Sequence, residues 1–488
     1  MNQKGIPART SSISFFCDLA EATTPFPHFW EHTVGSDHAP VALRADWQSQ
    51  LKKCRDELGF RYVRFHGLLS DDMGTLVRAQ NNKLIYSFFN ADQVFDFLLS
   101  IGMKPFVELS FMPTALASGT RTVFNYKANV TPPKDYKQWA TLIHRLVSHW
   151  VQRYGLKEVR EWFFEVWNEP NLRSFWTGTQ REYFKLYRYT AEAIKKVDSS
   201  LRVGGPATAR SEWIEDFVEF CERNKVPADF ISTHQYPTDG LEREGNTELQ
   251  LFKSQRGIMR ERAQDTRRYA AGRPVYYTEW NSSANSGDPL HDEPYAAAFA
   301  VATILEAKGL VEGYSFWTFS DIFEEHGFRS MPFHGGFGLL TLHGIAKPSY
   351  RAFELLHQLG DRQSLVDGLH ETVDCSVFQK DSSATIVLTN HTTPGHSIET
   401  EKIDIRIDNA LQPIAAHICR IDADHANPKR LWGQMGQPEN LRPKDVEQLH
   451  EASQLVQEKQ SISYKDKSIS LKVALPPHAV AAITINFS

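Results

Sequence analysis

Short apolar runs with polar tips recur along the first two thirds of the chain. They are "YVRFHGLL" from Tyr62, "KPFVELSFMP" from Lys104, "WFFEVWNEP" from Trp162, "LRVGGPA" from Leu201, "DFISTHQYP" from Asp229, "PVYYTEWN" from Pro274 and "GYSFWTFS" from Gly313. Each is brief, rich in β-branched or aromatic residues, and ends in a polar residue, Pro or Gly, which predicts buried strands. "FWEHTVGS" from Phe29 predicts an earlier, first strand. Between these runs the period becomes helical. Trp139, Leu142, Ile143, Leu146, Val147, Trp150 and Val151 fall at i, i+3, i+4, i+7 spacing, which predicts a helix over 136–154 with Gly155 as its stop. Trp47, Leu51, Cys54 and Leu58 share another helical face ahead of Gly59, which assigns Cys54 to packing. Eight strand–helix units over residues 23–360 predict the α/β class, a (β/α)₈ TIM barrel with extended loops. A doubly wound open sheet is the alternative, but its usual glycine-rich phosphate loop does not follow any early strand.

The texture changes near residue 360. Of the 11 tryptophans, only Trp432 lies beyond it. Period-2 segments take over: "TIVLTN", "IDIRID", "SISLKVAL" and "AVAAITINF". Ile469, Leu471, Val473 and Leu475 alternate with Ser470, Lys472 and Ala474, the pattern of a strand with one buried face. Residues 361–488 are therefore expected to form an antiparallel β-sandwich, interrupted by a helix from Asp445. Residues 1–22, with the strand-like "SISFFCDL", are expected to return to that sandwich from the other end of the chain.

Composition narrows the function classes. With 41% hydrophobic and 23% charged residues over 488 positions, the chain reads as an ordinary globular protein. A net charge of −5 argues against nucleic acid or an anionic membrane as partner. No apolar run is long enough to span a bilayer; "YAAAFAVATIL" from Tyr295 reads as a small-residue helix packed in protein. The N-terminus lacks a signal-peptide core, so the expected location is cytoplasmic, unless a leader has been removed. The 5 cysteines are odd in number, widely spaced and without metal-ligand spacing, as expected of reduced thiols.

In a barrel of this kind the chemistry sits at the C-terminal ends of the strands. The predicted fourth strand ends in Asn168-Glu169 and the seventh in Glu279. His66, His234 and Tyr236 occupy other tips, and the eighth leads through Trp317 to Glu324-Glu325. Two carboxyl groups on opposite walls of a pocket suit glycoside hydrolysis. One protonates the leaving oxygen while the other attacks or neutralises the oxocarbenium-like centre, and their separation decides between retention and inversion. Tryptophan supplies an apolar platform for a sugar's C–H face. Adjacent glutamates accept hydrogen bonds from hydroxyls and repel anionic sugars. Glu165 is read differently: strand alternation turns it into the barrel, with Arg64 as its expected partner.

These stretches, with "FDFLLSIGMKPFVELSFMP", "FHGGFGLLTLHGIAKPSYRAF" and "RIDADHANPKRLWGQMG", resemble the β-xylosidases of glycoside hydrolase family 39 over nearly the whole chain. "WNEP" marks the clan; "TEWN" and "TFSDIFEE" narrow it to the family. The resemblance implies Glu169 as acid/base and Glu279 as nucleophile. It places Asn168, His66, His234, Tyr236, Trp317, Glu324 and Glu325 around the first sugar. It implies a retaining, exo-acting enzyme on xylose-containing oligosaccharides, with no metal or cofactor. An endo-acting glycanase, another neutral-sugar β-glycosidase of the clan and a catalytically inactive carbohydrate-binding protein are the alternatives. The oligomeric state is open.

Overall fold

The computed structural model describes residues 12–239 and 246–488; the first part of the expected 1–22 segment lies outside them. Eight parallel strands close a barrel in sequence order: β1 Thr33–His38, β2 Tyr62–His66, β3 Lys104–Leu109, β4 Phe163–Val166, β5 Arg202–Thr208, β6 Phe230–His234, β7 Val275–Trp280 and β8 Gly313–Phe316. The ring is completed where Phe316 of β8 pairs with Val34 of β1. The first strand begins later than its apolar residues suggest. Phe29–Glu31 is a 3₁₀ turn whose Phe29 and Trp30 are buried, and β1 itself is the polar "TVGSDH", wholly buried. Residues that face the middle of a barrel are chosen for what they meet there. Gly35 illustrates this: a Cβ at that position would lie 2.6 Å from the Trp317 ring.

The helix over Tyr136–Tyr154 has the predicted bounds. Asp135 caps its start by accepting the Lys137 N–H at 2.7 Å, and Gly155 leaves it at φ 86°. The alanine-rich helix Pro294–Glu306 packs against strands Ser383–Asn390 and Ala479–Phe487, where its small side chains permit close approach. No helix among the described residues is long and apolar enough to cross a membrane.

After the barrel, a seven-stranded sheet runs in the order Thr24–Pro25, Arg362–Ser364, Val373–Lys380, Ser383–Asn390, Ala479–Phe487, Pro413–Ile421, Glu458–Lys459. It encloses an aliphatic core with a four-stranded sheet of Ile13–Asp18, Glu401–Asp408, Ser468–Leu475 and Ser463–Lys465. The N-terminal strand pairs parallel with Glu401–Asp408, the exception in otherwise antiparallel sheets. The late helix is shorter than its sequence suggests. It spans Pro443–Ala452, and Glu458–Lys459 instead pairs at a sheet edge with His417–Ile418. A second helix, Pro428–Gln434, brings Trp432 against Phe333, Ile345 and Leu449. The lone late tryptophan thus braces the long segment that follows β8.

An aromatic plug closes the N-terminal end of the barrel: Phe106, Phe163, Phe230 and Tyr276, with Tyr62 at the rim. Phe106 and Phe163 stack at 5.0 Å between centroids. His32 enters this plug, stacked on Tyr62 at 4.6 Å and bonded through Nδ1 to Thr33 Oγ1 at 2.7 Å. Burial pushes its pKa from 6.5 down to about 3, with Arg61 and Arg202 adding to the effect. The neutral form is therefore the folded form. Stability from this group is complete above 6.5 and falls with pH toward 3, because only the unfolded chain takes up the proton. Replacing His32 with Phe should flatten the loss of unfolding free energy between about pH 7 and pH 5 by up to ~1.4 kcal/mol per pH unit. Urea unfolding of both proteins at the two pH values measures this; parallel slopes would refute the assignment.

Candidate active site

Alternation along β2 sends Arg64 and His66 inward. The same rule brings Glu108 from β3, Glu165 from β4 and His234 from β6 to neighbouring depths. Arg64 is fully buried and its guanidinium organises the floor. Nε donates to Glu165 Oε2 at 2.5 Å and Nη1 to Glu279 Oε1 at 2.8 Å. Nη2 reaches Asn168 Oδ1 at 3.0 Å and Glu108 Oε2 at 2.8 Å. Burial opposes the charge, but Glu165, Glu108 and Glu279 more than restore it and raise the pKa further. The expected Arg64–Glu165 pair is present. Glu108 was not foreseen. His66 Nδ1 meets its Oε2 at 2.7 Å, and the Ser110 hydroxyl donates to its other oxygen. Burial alone would raise Glu108; His66 and Arg64 hold it below its ordinary value.

The chain leaves β4 through a sharp bend. Trp167 and Glu169 have φ of 73° and 42°, in the left-handed region that non-glycine residues seldom occupy. The Glu169 N–H is fixed by Ala207 O at 2.8 Å. The bend delivers Asn168 and Glu169 to the mouth. Asn168 gives its oxygen to Arg64, which leaves its NH₂ for a ligand.

Glu169 and Glu279 face each other. One oxygen of each, with a ring nitrogen of His234, lie within 4.8 Å of one another. Their partners differ in kind. Glu279 receives two donors, Arg64 Nη1 and the Tyr236 hydroxyl, the latter at 3.0 Å from Oε2. Glu169 Oε1 meets His234 Nδ1 at 3.0 Å. The donor count along this line fixes the proton. Thr278 Oγ1 lies 2.7 Å from Glu165 Oε1, an ion-paired carboxylate that can only accept, so the threonine hydrogen points there. His234 Nε2, at 3.1 Å from the same hydroxyl, must then donate to it. Nδ1 is left as an acceptor, and the group it faces on Glu169 is O–H.

The electrostatics agree. Burial lowers His234 well below its ordinary pKa, with Arg64 and His66 adding to that, so the ring is neutral. Burial raises Glu169 well above the carboxylate range, and Glu279 and Asp239 raise it further. Burial also raises Glu279, but Arg64 and His66 oppose it. The two carboxyl groups are thus held unequal. Glu169, His234 and Glu279 present metal-ligand atom types, as do Asp37, His38 and Glu324. The Arg64 guanidinium already supplies the positive charge at the first set, and protein hydrogen bonds occupy both.

The cavity above is about 670 Å³. His66, Asn168, Glu169, Tyr236, Glu279, Trp317 and Glu325 line it. Two residues assigned to the sugar by the sequence stand behind that wall. His234 is covered by Glu169, and the Glu324 carboxylate turns to His38 Nε2 at 3.4 Å. His38 was also missed. Its ring stacks on Tyr126 at 3.8 Å, and its Nδ1 lies 3.1 Å from Asp37 Oδ2. Burial works against its charge, yet Asp37 and Asp72 lift its pKa to about 9. Asp37 also accepts the Glu324 N–H at 2.8 Å, which pins the segment that carries Glu325. "SDH" carried a signal, a charged pair at a strand end, but its partners Asp72, Tyr126 and Glu324 come from three separate loops.

Removal of Arg64 would strand Glu165 and Glu108 in the interior. Arg64→Met should cost about 3–5 kcal/mol of unfolding free energy near neutral pH, and less in acid, where the stranded carboxylates can protonate. Equilibrium unfolding in urea reads this; an unchanged stability would mean that the guanidinium does not carry the floor.

The arrangement has known relatives. The chain is 53% identical to a β-xylosidase of Caldicellulosiruptor saccharolyticus over 463 residues, covering 94% of this chain and 95% of the relative. It is 38% identical to a β-xylosidase of Geobacillus stearothermophilus over 479 residues, 94% and 93% of the two chains. Among solved structures, a family 39 β-xylosidase from Caulobacter crescentus superposes with a TM-score of 0.82 at 33% identity, over 97% of this chain and 99% of the other. The family model described as glycosyl hydrolases family 39 matches residues 16–467, and this chain belongs to that family.

Proposed function

We propose that this protein is a retaining, exo-acting β-D-xylosidase that releases xylose from xylo-oligosaccharides or aryl xylosides. The observation that carries the reading is the inequality of two facing carboxyl groups whose oxygens lie within 4.8 Å. Oxygens this close suit the short carboxyl separation of a double displacement. The two curated relatives, both β-xylosidases, support the choice of sugar.

In the first step Glu279, held as a carboxylate by Arg64 and Tyr236, attacks the anomeric carbon. Glu169 turns its O–H from His234 Nδ1 to the bridging oxygen and gives it the proton, and the aglycone leaves. The glycosyl ester removes the negative charge of Glu279, one of the influences that raised Glu169. Glu169 is then the stronger acid and persists as a carboxylate. It takes a proton from water, which hydrolyses the ester. Asn168 NH₂ is placed for the 2-hydroxyl, and Trp317 for the sugar's apolar face. The Asn125 N–H bonds Glu325 O at 2.7 Å and joins the segments after β3 and β8, both of which line the cavity. Segments tied together at this wall favour attack at a chain end. A uronate in this first position would face the Glu279 carboxylate, which disfavours acidic sugars there.

Two outcomes test the reading. A wall pressed on C5 should exclude the hydroxymethyl of glucose, so kcat/KM for β-D-xyloside should exceed that for β-D-glucoside by about 100-fold or more. Equal rates on the two nitrophenyl glycosides would replace the reading with a broader β-glycosidase. Glu169→Ala should slow xylobiose far more than nitrophenyl xyloside in the glycosylation step, because only a basic leaving oxygen needs the proton. Pre-steady-state rates that fall equally for both would take the acid role away from Glu169.

A further inference from the structure

Beyond Glu169 the cavity continues outward, and this outer wall differs from the inner one. Glu169 must reach the bridging oxygen, so whatever departs from the sugar sits on this side. Leu172, Arg210, Asp239, Gln250 and Asn285 form much of it. Among the described residues lining the cavity, Arg210 is the only arginine or lysine. Its charge acts on Asp239 and Glu169 through space, without a direct ion pair to either.

The turn that presents Arg210 is built for the purpose. Its backbone lies at φ 65°, ψ 20°, a conformation that costs a non-glycine residue energy and needs support. Asn171 supplies it on both sides. Its Nδ2 donates to Ala209 O at 2.9 Å, and its Oδ1 accepts the Ala209 N–H at 2.9 Å. Ser211 Oγ meets the Tyr277 hydroxyl at 2.9 Å. Among the described residues, those that hold this half-buried guanidinium at the outer wall form no ion pair with it. Burial pushes Asp239 up to about 7, against the Tyr236 N–H and Arg210, so in mildly acidic solution that carboxyl is largely uncharged.

We propose that the aglycone side of the cavity takes a carboxylate-bearing leaving group through Arg210, in the first instance a xylose unit substituted with a hexuronic acid. This rests on the xylosidase reading of the same site. The inner wall sets the Glu279 carboxylate against an anion, while the outer wall carries a cation whose planar fork matches a carboxylate. Acidic groups are excluded from the sugar that is released and accepted on the one that is left.

The test compares two substrate pairs. One is xylobiose whose reducing-end xylose bears glucuronic acid, against its methyl ester. The other is 3-carboxyphenyl β-D-xyloside, against its methyl ester. kcat/KM is measured for wild type, Arg210→Asn and Arg210→Lys. Asparagine tolerates the left-handed backbone. The acid/ester ratio in wild type is divided by that in Arg210→Asn, so differences in leaving-group quality cancel. A double ratio of about 5- to 10-fold is expected for the uronic acid pair, and Arg210→Lys should keep part of it, having the charge without the fork. A double ratio near one in both pairs overturns the proposal. An effect confined to the aryl pair overturns the uronic acid assignment and leaves an aryl carboxylate as the occupant. Turnover of 4-nitrophenyl β-D-xyloside by wild type reports separately on the reading beneath: its absence would sink that reading, whatever the ratios.

Discussion

A single buried cation ties the site together. Arg64 sits in the barrel with no exposure to water, where an isolated charge would be untenable. Its cost is offset by Glu165, Glu108 and Glu279, and its remaining hydrogen bond goes to Asn168. Those four groups come from three strands and the bend after β4. One guanidinium therefore sets the orientation of the amide and of one carboxylate at the mouth, and through Glu165 it fixes the Thr278–His234 line that faces Glu169. Rigidity here serves chemistry directly, since a small misplacement of a reacting group lowers rates steeply.

The barrel supplies depth as well as walls. An aromatic plug fills the bottom, ion pairs and hydroxyls occupy the middle, and the ligand-facing groups stand at the top. This layering gives the buried charges of the middle layer partners from across the barrel, while the Ser232 and Ser315 hydroxyls are buried without a hydrogen bond. The inequality of Glu169 and Glu279 follows from it. Glu279 is met by donors, Glu169 by the lone pair of a neutral imidazole, and burial amplifies the difference.

The segment after β8 needs more support than the barrel gives. Asp37 and His38 hold it from inside, and the Asn125 N–H holds Glu325 from across the mouth. From outside, Trp432 and Leu449 pack on Phe333 and Ile345. The insertion in the C-terminal sheets, which contributes no residue to the cavity lining, thereby helps to keep that wall in place.

Periodicity in the sequence determined much of this. The alternation of strand and helix patterns indicated the barrel, and the strand tips indicated Glu169, Glu279, His66, Asn168, Tyr236, Trp317 and Glu325, because a short strand's end is visible in a local pattern. Even the Arg64–Glu165 pair was legible, since inward alternation demands a counter-charge. The tertiary structure decided what depends on distant partners. It placed β1 in a polar segment that local hydrophobicity does not mark, turned Glu324 away to His38, put His234 behind Glu169, and added Glu108 and the outer-wall Arg210. The reason is physical. A strand's period is a property of consecutive residues, whereas the partner that gives a buried charge or hydroxyl its role is set by which strands the closed barrel brings side by side.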